Sequence, residues 1–426
     1  MPGPGDDAVE PEDQGPNAQN RAGGPNALRA ADDAATPKRG TADALIGSRF
    51  DGATQRHLHH PSPSAPGSPP RDPTDQPVYG ALDLGTNNCR LLLAQPSRRG
   101  FRVVDAFSRI IRLGEGLSDA GKLSEAAMTR TYEALRICAG KLNRHGVSRA
   151  RLVATEACRV AANGDDFIAK VRDQLKLDIE ILAPEEEAKL AVAGCSSLID
   201  HPAEYVLVFD IGGGSSEIIW LDLTRAGAWR RGPGRRVEVN EAVSAWTSLP
   251  VGVVTLAERF DGRNVTTESF EAMVASVQKL LQPFEDRYDF KSRSQGRSLS
   301  LLGTSGTVTT IAGILLGLPR YDRSKVDGTW LAVSDIMAVT QSLLAKTYDQ
   351  RIAEPCIGRE RADLVLAGCA ILEAILRMWP AERLRVADRG LREGILTTLM
   401  LEDGVWRLGR RRRRGGRRDG FQEDAT

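Results

Sequence analysis

Residues 206–220 read VLVFDIGGGSSEIIW. An apolar run ends on Asp210, three glycines and two serines follow, and Glu217 precedes a second apolar run. This pattern predicts two strands joined by a tight turn. Residues 79–94, YGALDLGTNNCRLLLA, repeat it, with Asp83 ahead of Gly85, Thr86 and Asn87. Strand and helix patterns alternate around both hairpins, which indicates an α/β class. The repeated opening indicates two related lobes facing each other.

Glycine suits places where backbone bends sharply or approaches a ligand closely. Successive backbone N–H groups in such a turn make a concavity for phosphate oxygens. A carboxylate just before the turn repels phosphate directly but is well placed to hold a divalent cation or its waters. Magnesium favours that arrangement, with one or two carboxylates, several waters and substrate oxygens. Asp83 with Gly85, Thr86 and Asn87, and Asp210 with Gly212, Gly213, Gly214 and Ser215, therefore read as two phosphate grips with metal-facing acids. Glu217, two residues past Ser215, is placed to share the metal. A third turn, Gly303-Thr304-Ser305-Gly306-Thr307, follows another predicted strand and opens a small-residue helix. One such turn alone is more often an ordinary hairpin; three in one chain favour phosphate. No G-x-x-x-x-G-K-[ST] stretch is present, and neither hairpin fits G-x-G-x-x-G opening a helix.

Composition narrows the class. Lys+Arg of 57 against Asp+Glu of 56 gives no overall bias toward nucleic acid or membrane. Six scattered cysteines without a C-x-x-C pair read as buried free thiols in a reducing, cytoplasmic setting. No apolar run approaches the length of a membrane span. No histidine follows His201, which argues against histidine chemistry in the C-terminal half. Residues 1–76, rich in Pro, Gly and Ala, read as a disordered tail. Residues 77–200 form an expected first lobe and 201–402 a second, whose last helix is free to pack back on the first. Residues 403–426 are an expected arginine-rich tail. Its Arg410–Arg414, Arg417 and Arg418 suit either polyanion contact by counterion release or a solubilising end. The arginines of the loop 230–236 read as solvated.

The stretches DLGTNNCRLLLA, VFDIGGGSSEIIW and LLGTSGTVTTIAG, in that order, resemble the two phosphate motifs and the adenosine-type motif of the actin-like ATPase superfamily. VATEACRVAANGDDFIAKV, APEEEAKLAVAG, SLPVGVVTLAERF and VADRGLREGIL narrow the resemblance to the exopolyphosphatase/guanosine pentaphosphatase (Ppx/GppA) phosphatase family, over about residues 78–402. The resemblance implies two ribonuclease-H-like lobes with the active site in the cleft between them. It implies Mg²⁺-dependent release of the terminal phosphate of polyphosphate, or of the 5′-terminal phosphate of guanosine pentaphosphate, and makes a homodimer reasonable. By the family's motifs Glu187 inherits the catalytic base role, Asp210 and Glu217 the metal-facing role, and Arg159 contact with phosphoryl oxygens. Acids at 185–187 after Pro184 also suit a helix's first turn for reasons of dipole alone. Two departures from the family are expected: structure ends near residue 402, without the further helical region of long members, and Asn88 stands where many members have serine. An ATP-dependent kinase and a polyphosphate- or nucleotide-sensing regulator are the alternative readings.

Overall fold

Each glycine hairpin lies in the middle of its own sheet in the computed structural model, which describes residues 45–47, 76–98, 100–199, 203–224, 239 and 241–406. In chain order the strands are β1 Leu45–Gly47, β2 Tyr79–Leu84, β3 Asn88–Ser97, β4 Gly100–Ile110, β5 Arg149–Ala154, β6 Ile179–Ile181, β7 Tyr205–Ile211, β8 Ser216–Asp222, β9 Val243–Leu249, β10 Leu299–Thr304, β11 Trp330–Ala332 and β12 Arg383–Ala387. One sheet has five strands in the order β4-β3-β2-β5-β6. The other has seven, ordered β1-β9-β8-β7-β10-β12-β11.

The two sheets share one plan. In each, an antiparallel meander (β2-β3-β4, β7-β8-β9) continues through parallel neighbours of its first strand (β5 and β6, β10 and β12). Asp83 faces Arg90 across the first hairpin, and Asp210 faces Glu217 at the same place in the second. The turns close alike, with the Gly85 amide donating to the Asn88 carbonyl and the Gly212 amide to the Ser215 carbonyl, both at 2.9 Å. Every residue of β8 is buried, as expected for a strand covered on both faces. The chain therefore has the two-lobed α/β architecture of the actin-like fold.

The helix that follows each sheet's last parallel strand crosses to the other lobe. Pro184–Cys195, which the boundary near residue 200 assigns to the first lobe, buries Ala188, Val192 and Cys195 among Val206, Val208 and Ile219 of the seven-stranded sheet. Leu391–Glu402 does the reverse, placing Leu391, Ile395 and Leu399 against Tyr79, Leu92 and Val153. Where the two helices cross, a Cβ on Gly194 would lie 2.0 Å from the Gly390 carbonyl oxygen, and one on Gly394 2.0 Å from that of Leu190. Gly194→Ala is accordingly expected to cost about 3 kcal/mol through overpacking, read as a lowered urea midpoint. An unchanged midpoint would show that the helices do not cross this closely.

The expected tails need two corrections. Within residues 1–76, Leu45–Gly47 forms an edge strand on β9, with Leu45 opposite Ser248 and Gly47 opposite Trp246. A short apolar run explains it, since Ile46 packs against the core of the second lobe. At the other end, the tail begins later than residue 403. Asp403 accepts from the Tyr79 hydroxyl at 2.7 Å and pairs with Arg149, while the Trp406 indole donates to the Ser97 carbonyl at 2.9 Å. The arginine clusters at 230–236 and 410–418 and the histidines at 57–60 lie outside the described residues. All six cysteines are free and buried. Among the described residues no helix is long and apolar enough to cross a membrane.

Candidate active site

The hairpin turns meet tip to tip. A Cβ on Gly213 would lie 2.9 Å from the Thr86 side chain, and one on Gly214 2.8 Å from Thr86 Oγ1, so glycine is what lets the tips approach. Two carbonyls of each turn are occupied from behind. Thr86 O accepts from Gly114 N at 3.0 Å, and Asn87 O from the amides of Ile111 and Arg112. Gly212 O and Gly213 O accept from Val253 N and Val254 N at the start of the helix Val253–Arg259. The amides of Thr86, Asn87, Gly213 and Gly214 donate to no acceptor among the described residues. The result is a cleft with two carbonyls of each turn occupied and these backbone donors unspent, which suits an anion. The buried amide oxygens of Asn87 and Asn88 also have no partner among the described residues.

Five acids share this cleft: Asp83, Glu156, Glu187, Asp210 and Glu217. Glu187 arrives on the first turn of the helix Pro184–Cys195, which starts on proline and carries Glu185, Glu186 and Glu187 where the helix dipole favours acids. Burial pushes the carboxyl of Asp210 up to about 6, with Asp83 adding to it and Arg90 opposing. Burial and then Asp210 push Glu217 up to about 7, against the hydroxyls of Ser215 and Ser248, which both donate to Oε1 at 2.9 Å. Burial, then Glu217, raises Glu187 well above the usual carboxylate range, with Arg159 pulling the other way. Burial raises Asp83 too, against Arg90 and Arg392.

The third turn completes the wall. Ser305, Gly306 and Thr307 line the cleft at the start of the helix Gly306–Leu315. Ser305 holds φ 124°, a left-handed value costly for a non-glycine residue. A second cavity continues from the same walls, sharing Asp83, Arg90, Asp210, Ser305 and Arg361. The guanidinium groups of Arg90, Arg320, Arg359, Arg361 and Arg392 line it and form no hydrogen bond or ion pair among the described residues.

Two residues singled out by sequence stand elsewhere. Gly303 is inside β10, where a Cβ would lie 2.7 Å from the Phe209 ring; its smallness serves packing, and it does not line the cleft. Arg159 lies behind Glu187 and has no donor to spare for a phosphoryl oxygen. Its Nη2 and Nε donate to Glu156 Oε2 at 2.6 and 3.1 Å, its Nη1 to the Leu182 carbonyl and, at 3.3 Å, to Glu187 Oε2, and its Nη2 also to Glu187 Oε2 at 3.4 Å. Arg159 is therefore bonded to the glutamate and not turned into the cleft. Apart from Thr304, which lines the second cavity, the other residues named as grips and acids, from Asp83 through Thr307, all line one cleft.

Residues 93–403 match the profile of the Ppx/GppA phosphatase family. The chain belongs to this family. The guanosine-5′-triphosphate,3′-diphosphate pyrophosphatase of Photobacterium profundum is 28% identical over 336 residues, which are 76% of this chain and 59% of that protein. The chain thus spans less than two thirds of that relative's length. Among solved structures, the Ppx/GppA family member from Aquifex aeolicus is 27% identical with a TM-score of 0.60, covering 77% of this chain and 98% of its own. An exopolyphosphatase-like protein is 28% identical with a TM-score of 0.66, covering 76% and 98%.

Sequence reasoning overlooked several residues of this Ppx/GppA cleft. Laying DLGTNNCR over DIGGGSSE places Arg90 on Glu217, so the duplicated hairpin itself could have flagged Arg90. Glu156, which lines the cleft and holds Arg159, sits in VATEACRV beside a residue already singled out. Arg361 gave no local signal, because it comes from a loop ahead of the helix Val365–Met378.

Proposed function

We propose that this cleft hydrolyses a terminal phosphoanhydride, releasing orthophosphate from the end of inorganic polyphosphate or the 5′-terminal phosphate of guanosine pentaphosphate. The observation that carries the reading is the meeting of two equivalent turns, with unspent backbone N–H groups, around the largely buried carboxylate of Glu187. Phosphoryl transfer to water asks chiefly for positioning and charge stabilisation, with modest help from a base. Glu187 orients the attacking water and accepts its proton, and its raised affinity for protons suits that task. Arg159 holds Glu187 in place. The amides of Thr86, Asn87, Gly213 and Gly214 receive the charge on the phosphoryl oxygens. Arg90, Arg361 and their neighbours in the adjoining cavity take the remaining phosphates of the substrate.

The acids fit magnesium. Among the described residues no three His, Cys, Asp or Glu side chains form a ready-made ligand set, and magnesium does not ask for one, binding through one or two carboxylates, waters and substrate oxygens. Asp210 and the buried Glu217, paired opposite each other and raised in pKa by desolvation and by neighbouring acids, would hold it. When bound, the ion would neutralise phosphate charge.

The test is release of orthophosphate from long polyphosphate and from guanosine pentaphosphate, with magnesium and without any acceptor. Release from at least one is expected. Phosphate transfer that appears only with ATP and an added alcohol would overturn the reading in favour of a kinase.

A further inference from the structure

Arg112 lies between β4 and the short helix Leu117–Ala120, in a segment that wraps the first phosphate turn. Its own amide and that of Ile111 donate to the Asn87 carbonyl at 3.1 and 2.9 Å. The side chain leaves the first lobe. Nη1 and Nη2 donate to Asp363 Oδ2 and Oδ1 at 2.8 and 2.9 Å, and Nη2 also reaches the Glu360 carbonyl at 3.1 Å. Asp363 belongs to the second lobe, two residues past the cleft-lining Arg361 and next to Leu364, which also lines the cleft. Close by, Glu258 Oε1 accepts from the Gly116 amide at 2.8 Å across the same seam.

Three features set this pair apart from an ordinary surface bridge. It is bidentate, the stronger and more directional form of such pairs. Its side chains are only 29% and 15% exposed. Arg112 also adopts φ 48°, a left-handed backbone disfavoured for non-glycine residues, which the surrounding contacts must hold in place.

We propose that Arg112 and Asp363 form a clasp, a positioning pair that fastens the Arg361-bearing loop of the second lobe to the first phosphate turn of the other lobe. The clasp sets the width of the cleft: on one side it is anchored through backbone to Asn87, on the other it lies within two residues of Arg361. Neither residue touches substrate. The inference rests on the proposed reading of the cleft for its kinetic arm and on the structure alone for its geometric arm.

The experiment compares Arg112→Gln, Asp363→Asn, the conservative Arg112→Lys and the exchanged pair R112D/D363R, each in the full chain and each checked for an unchanged thermal midpoint. With tripolyphosphate as probe, either neutral variant should raise KM about 10-fold while kcat changes little, the pattern of a lost positioning contact rather than lost chemistry. Arg112→Lys should fall between, since it keeps charge but not the two-pronged geometry. The exchanged pair should recover most of the loss. Spin labels at Ala126→Cys and Ala275→Cys, one exposed position per lobe, should report one narrow distance in the wild type and a broader, longer distribution in Arg112→Gln. The native cysteines are buried and do not compete for label. If the wild type releases no phosphate, the proposed function fails while the distance measurement still tests the clasp. Single variants with wild-type KM and an unchanged distance distribution would overturn it, as would an exchanged pair no better than the singles.

Discussion

Glu187→Ala is expected to lower turnover by about 10²-fold or more, the usual scale for loss of a positioned general base, while KM for polyphosphate stays close to wild type. The separation follows from where the residue stands. Glu187 shares the cleft with the phosphate turns, but none of the four unspent amides belongs to it or to its helix. Removing its carboxylate leaves the anion-binding surface intact and also relieves repulsion with Glu217. Steady-state phosphate release, with a binding titration against a non-hydrolysable methylene-bridged analogue, checks both halves. Turnover like the wild type's would remove Glu187 from the reaction.

Asp210→Asn is expected to reduce magnesium-dependent turnover by about 10²-fold, through loss of transition-state charge stabilisation, and to raise the magnesium concentration needed for half-maximal rate. The same acids give a signature that needs no substrate. Asp210 and Glu217 have folded-state pKa values raised to about 6 and about 7, above the ordinary carboxylate range. The folded state therefore binds more protons than the unfolded one between about pH 4 and pH 7, and stability contributed by these groups is lost as pH rises through that window. In the presence of a chelator, the thermal midpoint should fall from pH 5 to pH 8. Magnesium should restore it at pH 8, because an ion that binds only the folded state stabilises it by mass action. Asp210→Asn should flatten the pH slope and abolish most of the magnesium effect. A wild-type midpoint that neither falls with pH nor responds to magnesium would separate these acids from any cation.

The parts of the fold that were legible in sequence are those where local chemistry and global structure agree. The hairpins declare themselves because buried strands must be apolar and a close-approach turn must be glycine, so DLGTNN and DIGGGS carry both strand ends and turn in a few residues. Duplication doubled that signal. The crossing of Pro184–Cys195 and Leu391–Glu402 was not legible, because an apolar helix face says that it is buried and not against which sheet. Gly303 and Gly213 look alike in sequence. One makes room for a phenylalanine ring inside a strand and the other for a facing turn, a difference fixed by partners distant in the chain. Arg159 shows the same limit. Its charge suggested phosphate, but its donors are spent on Glu156, Glu187 and a carbonyl, and only three-dimensional placement reveals that. Leu45–Gly47 escaped notice because so short an apolar run in a polar segment does not read as a strand without the β9 edge that receives it.

The most direct test follows the water that Glu187 is proposed to aim. Polyphosphate is hydrolysed in water enriched in ¹⁸O, and the label is located by mass spectrometry in the released orthophosphate and in the shortened chain. Attack on the terminal phosphorus predicts one labelled oxygen in each orthophosphate released and none in the chain. Label at the new chain end, or in neither product, would contradict it.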